Sequence, residues 1–459
     1  MTSDAAIHPP HRNGVGRVLA NAGVLLGGRT ANALISLGYL AIAARSLGTV
    51  EAGVLILINA FAMLVSDVVK FNSWQAVLHF GAPALADDRR DRLQQVVRFA
   101  ILLDVISALI GIGVAAAAIY LVGEKLGWGR EHNSAATLYC LSIAILAPAT
   151  PIGLLRLLDR FDLITAQAPI SSAIRLVGSG LVLVWGASLD LFLAVWAAGT
   201  VAAFLYLASV AVGELRRRGL ASGFRLRGPL TAGMPGAWRF AWATNLSSSL
   251  ETAFTHAITL VVGAVVGPGP AALWRIGRQV ADALAKPARL LVPALYPELA
   301  RLHASHGEGA MRRLALQVGL LGGGVGTLLL LISALAGRPL LALVMGEGFA
   351  AAADVMTWQV AAAVIGIWAL PLEPMLVSLG RPGDALKVRL VVSISLLAAL
   401  VPVVERFGVT GAGAALVVGM SALALGMFLM LQRKAGRQVA GPAHEMSCVD
   451  APARAKRIP

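Results

Sequence analysis

The chain has 459 residues, of which 58% are hydrophobic and only 14% charged; its mean hydropathy is +0.77. A soluble chain is roughly 45–50% apolar and about 25% charged, so this one cannot cover its surface with polar groups, and its solvent is lipid. The net charge of +14, from 38 Lys+Arg against 24 Asp+Glu, would point to nucleic acid in a soluble protein. In a membrane protein the excess first records topology, and nucleic acid is not an expected partner.

Residues 1–17 lack the short apolar core and small-residue cleavage site of a signal peptide and read as a cytoplasmic tail. A membrane helix needs about 20 mostly apolar residues. Six such spans follow, at 18–43, 52–70, 97–121, 136–156, 166–186 and 190–212, and make an N-lobe over 18–212. A polar linker, 213–238, precedes a C-lobe over 239–432 with spans at 239–266, 271–296, 315–336, 352–378, 386–405 and 410–432. The tail 433–459 is polar and basic and reads as disordered. Cys140 lies in an apolar run and Cys448 in that tail, which is no disulfide framework. The predicted fold class is an all-α integral membrane protein, with twelve transmembrane helices in two six-helix lobes around a central cationic cavity.

Lys and Arg set the orientation. With the N-terminus inside, most of the 38 basic residues fall in cytoplasmic connections or tails, including the run Arg216, Arg217 and Arg218. The opposite connections carry only Arg45, Lys125, Arg130, Arg338 and Arg406. This bias places both termini inside. A faint internal repeat aligns Leu47-Gly48-Thr49-Val50-Glu51-Ala52-Gly53, after span 1, with Val266-Gly267-Pro268-Gly269-Pro270-Ala271-Ala272, after span 7. Such repeats are common in transporters.

Several functions are excluded. No Gly-Lys dipeptide occurs, so there is no phosphate loop of the Walker type and no ATP motor. The run Gly322-Gly323-Gly324-Val325-Gly326 lies inside an apolar span and suits helix packing. No His/Cys/carboxylate spacing suggests a metal or another cofactor. With no large outer loop for a catalytic domain, the chain reads as a secondary transporter driven by an H+ or Na+ gradient rather than an enzyme.

Charges inside spans are the informative residues, because each costs at least about 2.5–3.5 kcal/mol at the bilayer centre. In span 8, Arg275, Arg278, Gln279, Asp282, Lys286 and Arg289 share an arc of about 100°. A helix lying on the membrane surface is the competing reading of that stripe. Span 1 adds Asn21, Arg29, Asn32 and Ser36, span 7 adds Asn245, Ser249, Thr252 and His256, and span 5 adds Arg175. These groups are expected to line one hydrated cavity of positive sign. Arg offers a planar fork suited to phosphate and pyrophosphate, so the cargo is expected to be anionic. Arg29, Asn32, Arg175, Arg275, Arg278, Gln279, Lys286 and Arg289 are the candidate cargo contacts. Glu251, Asp104 and Asp282 are the candidate ion-coupling carboxylates, with plain charge balance as the alternative. Trp74 reads as an interfacial anchor.

Short motifs in order along the chain resemble one family. They are Ala44-Arg45-Ser46-Leu47-Gly48-x4-Gly53, Ser73-Trp74-Gln75-Ala76-Val77 with Phe80-Gly81-Ala82, and Gly153-Leu154-Leu155-Arg156-x3-Arg160-Phe161-Asp162. Trp274-Arg275-Ile276-x2-Gln279 with Pro293 and Pro297, Gly346-x2-Phe349, and Ser378-x-Gly380-Arg381 complete the set. Across roughly 15–432 the chain resembles the polysaccharide-transporter branch of the MOP flippase superfamily. The resemblance implies two six-helix lobes working by alternating access. It also implies a cargo of undecaprenyl-diphosphate-linked oligosaccharide, moved between the leaflets of the bacterial inner membrane for exopolysaccharide, capsule or O-antigen synthesis. Membrane lipid, a polymerase and other assembly proteins are the implied partners. The competing functions are a cation-coupled small-molecule exporter of the same superfamily and a non-transporting scaffold of a polysaccharide assembly complex.

Overall fold

The computed structural model describes residues 14–432 except 147, 226–227, 229, 290–291 and 380. It gives the backbone alone at 14–31, 122, 243–255, 284, 286–289, 292–294, 296–298, 300–308 and 382. The predicted tail 433–459 lies outside these residues, as do residues 1–13 of the predicted tail 1–17, and residues 14–17 open the first helix. Every regular element among the described residues is helical.

The first half comprises α1 (Gly14–Val69), α2 (Ser73–Ala86), α3 (Arg90–Val122), α4 (Asn133–Cys140), α5 (Ile143–Leu146), α6 (Thr150–Leu157), α7 (Phe161–Thr165), α8 (Gln167–Trp185) and α9 (Leu189–Arg217). The second comprises α10 (Ala237–Val266), α11 (Pro268–Arg289), α12 (Val292–Met345), α13 (Ala352–Trp368), α14 (Leu372–Ser378) and α15 (Pro382–Gln432). Eight helical stretches among the described residues are long and apolar enough to cross a membrane. Two of them, Asn32–Ala86 and Gly383–Gln432, run 55 and 50 residues, more than twice the roughly 20 that one crossing needs. α11, the expected span 8, is not among the eight, because its polar stripe lowers its hydropathy. The described side chains of α10 include the short apolar stretch His256–Val266.

The predicted repeat has a backbone counterpart. Gly48 turns the chain inside α1 at φ 74 and ψ −179, and Gly267 separates α10 from α11 at φ 95 and ψ 174. This corner of conformational space is essentially glycine's alone. Gly408 reverses α15 in the same region.

Span 4 departs from the expected continuous helix. Residues 130–157 are broken into α4, α5 and α6. Pro148 and Pro151 remove two backbone donors at the break, and a side chain from α3 takes up the N–H groups that the break frees. α12 also begins well before the expected span 9.

The two halves meet through α1, which packs on α8 and α9 of its own half and on α10 and α11 of the other. α11 is wedged between α1 and α13, with Ile276 and Trp274 at 0% and 2% exposure. That burial sets the apolar face of α11 inside the bundle. One hydrophobic core draws on both halves, with Leu57, Trp128 and Phe192 from the first and Trp274, Phe349 and Val360 from the second.

At the end of the bundle that holds Gly48 and Gly267, the halves close on each other. A methyl group on Gly53 would lie 2.0 Å from the Pro268 carbonyl oxygen, so the two backbones meet there directly. The Arg45 guanidinium donates to the carbonyls of Val344, at 2.9 Å, and Leu343. Those are terminal carbonyls of α12 that no later turn of helix can satisfy, and a cation there also complements the helix dipole. At the other end, Gly153 of α6 lies against the Trp74 backbone of α2, and the Arg156 guanidinium stacks 4.2 Å above the Trp74 ring. Trp74 is thus a packing partner within the bundle.

Alanine at Gly48 or Gly267 is expected to cost about 1–3 kcal/mol, the strain of a side chain in that backbone region. Alanine at Gly113, inside α3 with nothing within 4 Å of the added methyl, is expected to be neutral or slightly stabilising. Thermal unfolding of the purified protein in detergent checks this, and equal midpoints for all three variants would contradict it.

Candidate functional site

Between the halves lies a cavity of about 480 Å³, and beside it a smaller one of about 90 Å³. Ser36, Tyr39, Met63, Arg175, Arg275 and Gln279 border both. Asn32 and Ser36 of α1, Gln167, Ser171 and Ser172 of α8, and Thr200 of α9 complete the polar lining of the larger space. No Asp or Glu is among the described lining residues of either.

Each cation is presented by its helix. Arg175, in the middle of α8, lies along α9, where Gly199 leaves room for it: a methyl there would sit 3.0 Å from Arg175 Cγ. Its guanidinium donates to Thr200 Oγ1 at 3.1 Å and reaches the Trp196 carbonyl at 3.4 Å. The same group faces the rings of Trp196 and Tyr39, at 5.2 and 5.8 Å, within the range of cation–π attraction. Its buried Nε has no hydrogen-bond acceptor among the described residues. Arg275 stands on the polar face of α11, beside the buried Trp274 and Ile276, and borders both cavities. It has no ion-pair partner among the described residues. Both guanidinium groups thus hold donors available to a ligand. Asn32 Oδ1 is also buried and has no partner among the described residues.

Four of the predicted cargo contacts therefore come together: Asn32, Arg175, Arg275 and Gln279. Arg278 does not join them. Its Nε lies 3.3 Å from Asp282, one turn further along α11, so the two neutralise each other. The side chains of Arg29, Lys286, Arg289 and Glu251 lie outside the described residues. Asp104 is committed elsewhere. From α3 it accepts the Ser73 hydroxyl at 2.6 Å and the backbone N–H groups of Ala149 and Thr150 at 3.1 and 3.0 Å. It therefore caps α6 and holds the break in span 4, which is a structural use of a buried carboxylate.

Sequence reading missed two features. Tyr39 and Trp196, packed edge to face at 5.7 Å, form the aromatic wall for Arg175; their polar edges read as ordinary core. Asp67, near the end of α1, is buried, pairs with Lys70, and lies 3.7 Å from His256 Nε2 of α10. That contact crosses between the halves, and His256 borders the smaller cavity with Arg275. Only the occurrence of an acid so close to the end of a span hinted at it.

Residues 18–303 match the model of the family described as "Polysaccharide biosynthesis protein". The chain is 33% identical over 344 residues to "Inner membrane protein YghQ" of Escherichia coli (strain K12), covering 74% of this chain and 95% of that one. Among solved structures, it resembles "Lipid II flippase MurJ, inward closed conformation" with a TM-score of 0.66 at 11% identity, over 89% of this chain and 87% of that one. It also resembles an inward-facing "multidrug resistance MATE family transporter of the MOP superfamily", with a TM-score of 0.65 at 12% identity, over 88% and 93%. At such identities these two likenesses describe the fold.

Replacing Asp104 by Ala leaves the Ala149 and Thr150 donors without an acceptor. Each such buried group costs about 1–3 kcal/mol, so a loss of about 2–6 kcal/mol is expected. The Ser73 hydroxyl can turn to Thr150 Oγ1, 3.4 Å away. Unfolding of the detergent-purified variant measures the loss, and a midpoint equal to wild type would contradict the capping role.

Proposed function

From the chain's membership of the polysaccharide biosynthesis protein family, as a multi-pass inner membrane protein with the MOP transporter fold, we propose that it flips undecaprenyl-diphosphate-linked oligosaccharide from the cytoplasmic to the periplasmic leaflet. The observation that carries this reading is the pair Arg175 and Arg275, facing one cavity with no carboxylate among the described lining residues. Guanidinium groups with free donors suit a diphosphate, which accepts several charge-assisted hydrogen bonds. Asn32, Gln279, Ser171 and Ser172 are placed to bond the first sugars. A cationic drug would meet two guanidiniums and no acid there, which disfavours an exporter of such compounds.

Both termini are cytoplasmic in this reading, as the distribution of Lys and Arg requires. The closed end at Gly53 and Pro268 then faces the periplasm, and cargo enters from the cytoplasmic side. The repeat unit passes to a polymerase and its partners in exopolysaccharide, capsule or O-antigen assembly. An H+ or Na+ gradient supplies the driving force. Asp67 and His256, 3.7 Å apart, join the two halves beside the smaller cavity.

A hydrogen bond to a charged group contributes about 1.5–3 kcal/mol. In a deletion strain with no redundant flippase, Arg175→Ala with Arg275→Ala is therefore expected to lower periplasmic exposure of the lipid-linked repeat at least tenfold, with normal membrane insertion. Wild-type exposure and surface polymer in that strain would overturn the reading.

A further inference from the structure

A second space of about 580 Å³ lies in the first half, on the far side of the broken span 4. Its walls are α3, with Val97, Ile101 and Val105, and α9, with Ala208, Ala211 and Val212. The interrupted segment supplies Ala144, Thr150 and Leu154 as its floor. The lining is mostly apolar, with Gln94, Asp104, Thr150 and Arg216 as its polar members. Val105 and Val212 are 48% and 43% exposed, so the groove opens onto the lipid-facing surface. Pro148, Pro151 and Phe204 border both this groove and the cationic cavity. Two other apolar grooves lie in the second half, one along α15 and Trp358 and one between α12, α13 and α15, and neither shares a lining residue with the cavity.

We propose that this groove holds the isoprenoid chain of the cargo while its diphosphate sits at Arg175 and Arg275, with Pro148, Pro151 and Phe204 as the threshold between the two. The inference rests on the flippase reading. A diphosphate bound inside the bundle drags its hydrocarbon chain with it, and that chain needs an apolar path from the cavity to the bilayer. Of these three grooves, only this one adjoins the cavity. The break in span 4 serves the path: a continuous helix over 136–156 would set a full turn of backbone and side chains where the threshold lies. Asp104 keeps the break dry by accepting the N–H groups of Ala149 and Thr150, which would otherwise face the chain unpaired.

The test uses the full-length protein in nanodiscs and a polyprenyl diphosphate carrying a diazirine in its isoprenoid chain, with a diazirine phosphatidylethanolamine as control. Labelled peptides are mapped by mass spectrometry. The proposal expects diphosphate-probe labelling of 97–108 and 204–212, competed by unlabelled polyprenyl diphosphate. It expects at least a fivefold drop in Ala208→Trp, which fills the groove, with labelling of the cavity residues kept. Ala144→Leu fills the same groove from its floor and should act alike if Ala208→Trp does not insert. Labelling confined to the cavity or to 391–422, or equal labelling of the groove by the phospholipid probe with no competition, overturns the proposal and leaves the flippase reading standing. Absence of competed labelling anywhere, together with unchanged exposure in the Arg175 and Arg275 double variant, overturns both.

Discussion

Two guanidinium groups held between membrane helices without a carboxylate in front of them constrain everything else about this molecule. Even on the mildest insertion scales each costs several kcal/mol in a bilayer interior. The fold meets that cost in part. Thr200, the Trp196 carbonyl and two aromatic faces surround Arg175, and neighbouring Ser, Asn and Gln side chains add polar groups to the lining. What is left uncompensated is the positive charge on which the proposed diphosphate site rests. The neighbouring Arg278 shows the contrast: one turn away on the same helix, Asp282 cancels it, and it takes no part in the lining.

Holding such a site between two halves requires that the halves close against each other somewhere. They do so at one end, where Gly53 touches the Pro268 backbone and Arg45 takes the last carbonyls of α12. These contacts use backbone atoms and one surface-level guanidinium, and the hydrophobic core shared by the two halves packs behind them. The opposite side of the first half is built differently. Glu214 is buried and paired with Arg160, Gln94 donates to the Leu220 and Ser222 carbonyls, and Arg98 to that of Arg225. Gln94 and Arg98 of α3 thus hold the central linker, and Arg160 ties the start of α7 to α9.

The sequence made the membrane class, most spans and the cationic face of α11 legible, because hydropathy and a 3.6-residue period are local properties. The repeat was legible too, through Gly48 and Gly267, since only glycine takes that backbone. Residue pairing was not. Arg275 and Arg278 look alike on a helical wheel, yet one faces the cavity and the other meets Asp282. Asp104 looked like a coupling acid because burial was readable and its partners, 31 to 46 residues away, were not. The break in span 4 was signalled by Pro148 and Pro151, but membrane helices tolerate proline, so composition alone did not separate a kink from an interruption. Asp67 and His256 sit on different halves, and no local pattern joins them.

The central claim is that the cavity selects a lipid diphosphate. The most direct measurement is calorimetric titration of the purified protein with geranylgeranyl diphosphate, geranylgeraniol and the lipophilic cation tetraphenylphosphonium. The account predicts binding of the diphosphate alone, displaced by pyrophosphate and weakened about tenfold or more by Arg275→Gln, the loss of at least one charge-assisted bond. Binding of the cation with no measurable affinity for the diphosphate would contradict it.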